Sequence, residues 1–473
     1  MNIRDCFILA LICMGLPMFA RAQAASAPSA GYSTSSTERS VPAPALSAVA
    51  GINTGVADET EGDLPLIPAS LGGRGASLAF PSEMERSNYL RAGLNVGAAY
   101  DDNALLAPNG AQGNTSTTIF PNLAVEESWS RMRYTLAYAG GFVINQNFSS
   151  LNQGSHDVSF DSQFRLSPHV NLRLAEDFTV MTGFFDGGND TTVGGTGGPN
   201  ASLITPLATQ RTNSTTAAAN YHFALNDVIG GSGSFYSLHF TNVNQSTALS
   251  DTRTATGSAF WLHRTFRHNW TGASYSFENI SFDPDNGESR VHSLALVDTL
   301  GLSRGFTFSA FFGPQYSDNR GLTSTGEAIS QSQQWSMAGG VELGWQSAGT
   351  SVSTGYSRRI ADGGGVLGAV RLQSVHGDVR QRLFPGWAVR VAGSYGSNHA
   401  LTVPFSGTAS IIDLTYASVS LERNVGKNLG FRVGYSHDFQ QQSGSATPAQ
   451  MLDAHRNRFF VTLSYQWAKP LGM

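Results

Sequence analysis

From Tyr89 onward the chain alternates apolar and polar residues with a period of two, over segments of roughly ten to sixteen residues, the length that a tilted membrane-crossing strand requires. Trp335, Met337, Gly339, Val341, Leu343 and Trp345 fall on one face, and Ser336, Ala338, Gly340, Glu342, Gly344 and Gln346 on the other. Tyr134, Leu136, Tyr138, Gly140, Phe142 and Ile144 repeat this against Arg133, Thr135, Ala137, Ala139, Gly141, Val143 and Asn145. Phe431, Val433, Tyr435 and Phe439 do so against Arg432, Gly434, Ser436 and Asp438, while His437, which shares the apolar parity, is expected at a bilayer interface. In a soluble sandwich the apolar face would be the core; in a membrane barrel it meets lipid and the polar face meets a watery interior. Aromatic placement favours the barrel. Trp335 and Trp345, like Trp387 and Tyr395, stand at opposite ends of one apolar face, where two interfacial girdles would lie.

The connections alternate short and long. Short ones are Trp129-Ser130-Arg131, Ser167-Pro168, Asn226-Asp227, Arg267-His268, Ser303-Arg304-Gly305, Ser347-Ala348-Gly349, Pro385-Gly386 and Val425 to Asn428; longer polar stretches lie between them, among them 184–210, 283–289, 318–331 and 363–369. Eight short and nine long connections join eighteen strands. Sixteen is the alternative count, because 253–266 and 290–302 do not alternate cleanly. The predicted fold is therefore all-β, a transmembrane antiparallel β-barrel of about eighteen strands with short periplasmic turns and long outer loops.

The N-terminus reads as an export signal over residues 1–22, in which Arg4 precedes an apolar run from Cys6 to Phe19 that ends in Ala20-Arg21-Ala22. Residues 23–85 are rich in Ala, Ser and Pro without either hydrophobic period, which predicts a flexible periplasmic leader with one apolar knot, Leu64-Pro65-Leu66-Ile67-Pro68. The barrel is assigned to 86–473. Both cysteines, Cys6 and Cys13, lie in the signal, so no disulfide or thiolate chemistry is expected of the mature chain. After residue 22 no window approaches the roughly twenty consecutive apolar residues of a helical span. A net charge of −5, with Lys427 and Lys469 the two lysines, gives no electrostatic basis for binding nucleic acid.

Candidate chemistry is sparse. None of the 11 histidines falls in a helical pair or a short metal-binding cluster. Ser237 and His239 share a face, a pairing that the abundance of serine makes unremarkable. No catalytic residue, metal or cofactor is expected. Arginine is more informative: Arg133, Arg165, Arg173, Arg380, Arg382, Arg390 and Arg432 share the polar face beside the short turns. A water-filled lumen with guanidinium groups at its periplasmic mouth would favour anions. The alternative pairs these arginines with Asp157, Asp161, Asp378, Glu342, Glu422 or Asp438, or turns them to lipid headgroups. The longest predicted loop, 184–210, carries Gly187, Gly188, Gly194, Gly195, Gly197 and Gly198, whose backbone freedom would let it bend inward as a constriction.

In the last strand Phe459, Val461, Leu463, Tyr465 and Trp467 occupy alternate positions. The strand resembles the C-terminal signal that outer-membrane barrels present to their assembly machinery, although Ala468 to Met473 follow the final aromatic residue. The stretch Gly93-Leu94-Asn95-Val96-Gly97-Ala98-Ala99-Tyr100-Asp101-Asp102-Asn103 resembles the start of outer-membrane barrels found with exopolysaccharide export systems and of related porins. That resemblance implies a polysaccharide-export or diffusion role, without catalytic residues. The partners expected are outer-membrane lipid, the barrel assembly machinery and a polar or anionic solute or polysaccharide. A porin-like channel is the leading reading, a non-conducting structural or adhesive barrel the second and an outer-membrane hydrolase the third. An inward-folding loop would favour the channel, and a lumen filled by large interlocking side chains the structural barrel.

Overall fold

The computed structural model describes residues 88–105, 110–183, 208–241, 249–283, 287–302, 305–322, 329–401, 411–426, 428–443 and 453–471. The expected signal, the leader with its Leu64 to Pro68 knot and the glycines from Gly187 to Gly198 lie outside these residues.

Strands follow one another in chain order. They are β1 (Tyr89–Asp101), β2 (Asn114–Ser128), β3 (Met132–Asn145), β4 (Gln153–Arg165), β5 (Val170–Gly183) and β6 (Ala208–Ala224). Next come β7 (Asp227–Thr241), β8 (Asp251–Phe266), β9 (Asn269–Asp283), β10 (Gly287–Leu302), β11 (Phe306–Leu322) and β12 (Ile329–Gln346). The last are β13 (Thr350–Gly363), β14 (Leu367–Phe384), β15 (Trp387–Ala400), β16 (Ile411–Val425), β17 (Leu429–Ser443) and β18 (Ala454–Pro470). Each strand is antiparallel to the next, and β1 pairs with β18 as well as β2, so a single 18-stranded sheet closes on itself. Closure removes the two free edges that an open sheet would expose.

The two faces differ as the period of two requires. Leu94, Ile119, Phe142, Phe178, Phe312 and Val341 point outward and are exposed, an apolar exterior far larger than a soluble monomer carries. Trp335 and Trp345 mark its two ends on β12, and ten residues of tilted strand between them span about 25 Å. At the loop end the marker is a chain of rings. Tyr275 Oη lies 2.8 Å from His292 Nδ1, and His292 leads to Tyr316 at 6.4 Å and then to Trp335 at 5.2 Å between centroids. His437 stands at the same end, its Nδ1 2.8 Å from Asn457 Oδ1, which also accepts from Tyr435 Oη at 2.6 Å.

The two segments without clean alternation are strands as well, and the reason is on their lumen faces. Phe260 and Leu262 on β8, and Ala295 and Val297 on β10, join Ala218, Val228, Trp270, Phe311 and Ala338 in an apolar belt inside the barrel wall. With Trp261 and Leu294 exposed on the exterior, both faces are apolar and the period vanishes. Several connections are also shorter than their polarity suggests. β11 and β12 extend into the predicted loop 318–331, and β9 and β10 are separated by 284–286 alone. Ladder bonds satisfy the backbone whatever the side chains are, so strands continue past the aromatic girdle as a charged rim, with Arg290 paired to Glu288 at 2.9 Å and Arg320 to Asp318 at 3.2 Å.

Candidate functional site

A ring of eighteen strands leaves a water-filled channel unless something occupies it. Among the described residues the occupant is the hairpin of β13 and β14, which the sequence placed in an outer loop at 363–369. The ladder between β12 and β13 stops at Gly339↔Arg358, although both strands continue toward the loop end. Beyond that point β13 leaves the wall and passes beneath its neighbours. The backbone N–H of Ile360 donates to Gln315 Oε1 on the lumen face of β11 at 3.2 Å, and Arg371 Nη2 donates to Gln334 Oε1 on the lumen face of β12 at 3.1 Å. Ala369 packs on Ile280 and Phe282 of β9. On the opposite side Ala361, Leu367, Val370 and Leu372 meet Ile412 and Leu414 of β16. The hairpin is thus held between two facing walls.

Its tip is fixed by a close approach. The N–H of Ser250, in the β7–β8 connection, donates to Gly365 O at 2.8 Å. Gly365 has φ +82°, and a Cβ there would stand 2.3 Å from the Phe240 ring. Only glycine satisfies both conditions. The sequence signal for this element was available: apolar residues on both parities, Ile360 with Ala361 and Ala369 with Val370, flank Gly363-Gly364-Gly365, a pattern that suits a buried ribbon and not a solvated loop.

At the short-turn end the seven predicted arginines occupy lumen-facing positions beside the turns, and four of them are paired. Arg173 Nη2 meets Asp161 at 2.6 Å, Arg390 Nε meets Asp378 at 2.6 Å, and Glu422 accepts from both Arg380 at 3.1 Å and Arg432 at 2.9 Å. Arg133, Arg165 and Arg382 form no ion pair among the described residues. Four of these seven guanidinium groups thus share three carboxylates, Asp161, Asp378 and Glu422. A recess of about 380 Å³ opens there between Arg380, Arg382, Trp387 and Glu422.

The seam that closes the barrel is clasped by Asp101-Asp102-Asn103, within the stretch behind the resemblance to exopolysaccharide-associated barrels. Arg456 on β18 lies between Asp438 at 2.9 Å and Asp101 at 3.6 Å and is 4% exposed. Asp102 Oδ1 accepts the backbone N–H of Asn457 at 2.7 Å, and Asn103 Nδ2 donates to His455 O at 2.9 Å. First strand and last are joined by side chains beyond their ladder.

Other sequence candidates stand apart. His239 Nδ1 bonds Asp251 on the exterior of the loop end, and Ser237, two residues along the same row, makes no hydrogen bond to it among the described residues. Phe459, Val461, Leu463, Tyr465 and Trp467 all point outward from β18 and are exposed.

No protein-family profile matches the chain, and no curated protein sequence does. Among solved structures, the outer membrane protein OpdK from Pseudomonas aeruginosa is similar at 12% identity, with 80% of this chain and 99% of that one covered and a TM-score of 0.41. The ferric citrate transporter FecA in its unliganded form is similar at 7% identity, covering 81% of this chain and 79% of that one, with a TM-score of 0.42. OccK2 (OpdF) from Pseudomonas aeruginosa gives 10% identity, 80% and 98% coverage and a TM-score of 0.40.

Proposed function

We propose that this protein is an outer-membrane channel for small polar solutes, narrowed on its loop side by the β13–β14 hairpin. The observation that carries the reading is the closed barrel itself, whose exterior is apolar and whose interior holds guanidinium and carboxylate groups. Charges of that kind belong beside water. With short turns in the periplasm, solutes would meet the arginine-rich mouth on the inner side and the hairpin on the outer side.

The arginines at this mouth favour anions mildly. Paired guanidinium groups contribute little to the field, so Arg133, Arg165 and Arg382 should dominate selectivity. In a salt gradient the reversal potential is expected to indicate anion preference that fades as salt rises. Replacing those three by Gln should abolish it, and Arg380→Gln with Arg390→Gln should also shift it toward cations, because Asp378 is left uncompensated while Glu422 keeps Arg432. Equal permeability in the wild type, unchanged by either set, would remove the selective role.

A saccharide chain, the alternative cargo, finds less support, because the lumen-side hydroxyls of Thr254 and Ser274 are enclosed in the wall. The resemblance of residues 93–103 adds little to it, since Asp101, Asp102 and Asn103 are occupied in closing the barrel. The outward row from Phe459 to Trp467 supports recognition by the assembly machinery. Tyr465→Ala with Trp467→Ala should lower the yield of folded barrel, and a normal yield would argue against that role.

A further inference from the structure

The hairpin that enters the lumen leaves a notch in the wall. From Ile329 to Ala338 the backbone of β12 has no strand partner on its β13 side among the described residues. Gly339, the last paired residue, lies between Trp335 and Trp345, the two ends of the apolar band. The unpartnered stretch from Trp335 to Ala338 therefore stands inside that band, over about 10 Å of its height. Bare backbone donors and acceptors are strongly unfavourable against hydrocarbon, which is why membrane barrels keep their ladders complete there. The notch calls for a polar occupant.

Side chains set its charge. In the register of β12 and β13, Arg358 belongs to the exterior row, two residues beyond the exposed Tyr356 and opposite Gly339. It is half-buried, its Nε is enclosed without a hydrogen-bond partner, and it forms no ion pair among the described residues. Arginine in the lipid-facing register near mid-height is among the least favourable placements on a barrel. Arg371, held by Gln334 on the lumen side of the same opening, also has a buried Nε with no partner. Outside the notch the surface is apolar, with Trp335 74% exposed and Met337 and Phe312 exposed beside it.

We propose that this notch binds an anionic amphiphile from the surrounding lipid layer. Its carboxylate or phosphate headgroup sits on Arg358 and accepts from the free N–H edge of β12, while its alkyl chain lies along Met337 and Trp335. A headgroup of this kind supplies the two things the notch lacks, acceptors for an unpaired edge and a counter-charge for a guanidinium. The proposal rests on the membrane placement argued above and is independent of conduction.

Fluorescence quenching in phosphatidylcholine vesicles tests it, with a dibrominated fatty acid and a dibrominated phosphatidylglycerol as separate probes and with the Trp335 share isolated by difference from Trp335→Phe. At least one probe is expected to quench Trp335 saturably at low mole fraction. About tenfold more should be needed for Arg358→Gln, and nearly the wild-type amount for Arg358→Lys. The probe that saturates distinguishes a single-chain carboxylate from a resident phospholipid. Quenching that rises in simple proportion to mole fraction for both probes, or that saturates identically in Arg358→Gln, would overturn the proposal. If Arg358→Gln does not fold, saturable quenching of the wild type by the anionic probes and not by dibrominated phosphatidylcholine decides it. A protein that is not in the bilayer would show no quenching by dibrominated phosphatidylcholine at all, so failure of the placement is seen separately.

Discussion

Replacing Ile360–Arg371 by an Asn-Gly turn, which leaves the Arg359↔Leu372 pair intact, is expected to raise single-channel conductance by a factor of about two or more, because pore lining and radius set the current. The segment removed carries the tip of the hairpin together with Val370 and Arg371, the residues that end the β14–β15 ladder. It takes with it the ribbon lodged between β9 and β16 and the contact of its tip with Ser250. Asn-Gly suits a two-residue hairpin because both central residues need positive φ. A milder variant acts through the tip alone. Gly365→Val forces a β-branched residue into φ +82° and drives its Cβ into the Phe240 ring, a strain of about 1–3 kcal/mol from the backbone alone. That variant should lengthen or multiply open events without changing the size of the largest one. Unchanged conductance in the shortened barrel would show that the solute path does not pass the hairpin.

Arg456→Met is expected to produce the largest loss of stability of any single substitution considered. Arg456 is buried between Asp101 and Asp438, on the strands that flank it across the closing seam. Removing one member of a buried ionic network costs about 3–5 kcal/mol, mainly because the charges left behind stay uncompensated. Heat-modifiable migration should be lost at a clearly lower temperature than in the wild type. Neutralising the whole group, with Asp101→Asn and Asp438→Asn added to Arg456→Met, should recover most of the difference. A single Arg456→Met variant that melts with the wild type would mean that the ladder alone holds the seam.

Much of this architecture was legible in the sequence because membrane strands are constrained residue by residue. Trp335 to Trp345 shows the exterior row and both girdles at once, since lipid on one side and water on the other enforce the period of two. The count of eighteen followed from turns such as Pro385-Gly386, where Gly386 adopts φ +79°. What could not be read was tertiary. Leu262 and Val297 are apolar on the lumen side because they pack with one another across β6–β12, which hides the period that local patterning depends on. The residues 363–369 looked like a solvated loop from their glycines, and only the facing apolar pairs on both sides hinted that the ribbon is buried. The partners of the arginines, Asp161, Asp378 and Glu422, come from neighbouring strands, so the net charge of the mouth depends on register. Tyr100-Asp101-Asp102-Asn103 suggested a functional class by resemblance, while the side chains of Asp101, Asp102 and Asn103 are used in closing the barrel.

Recording from planar bilayers is the most direct test of the central claim, with purified protein whose folding is verified by heat-modifiable migration. Discrete current steps of uniform size, biased toward anions in a salt gradient and enlarged when Ile360–Arg371 is replaced, are the predicted result. Folded protein that inserts and yet gives no steps, with or without the hairpin, would contradict the account and leave a barrel that conducts nothing.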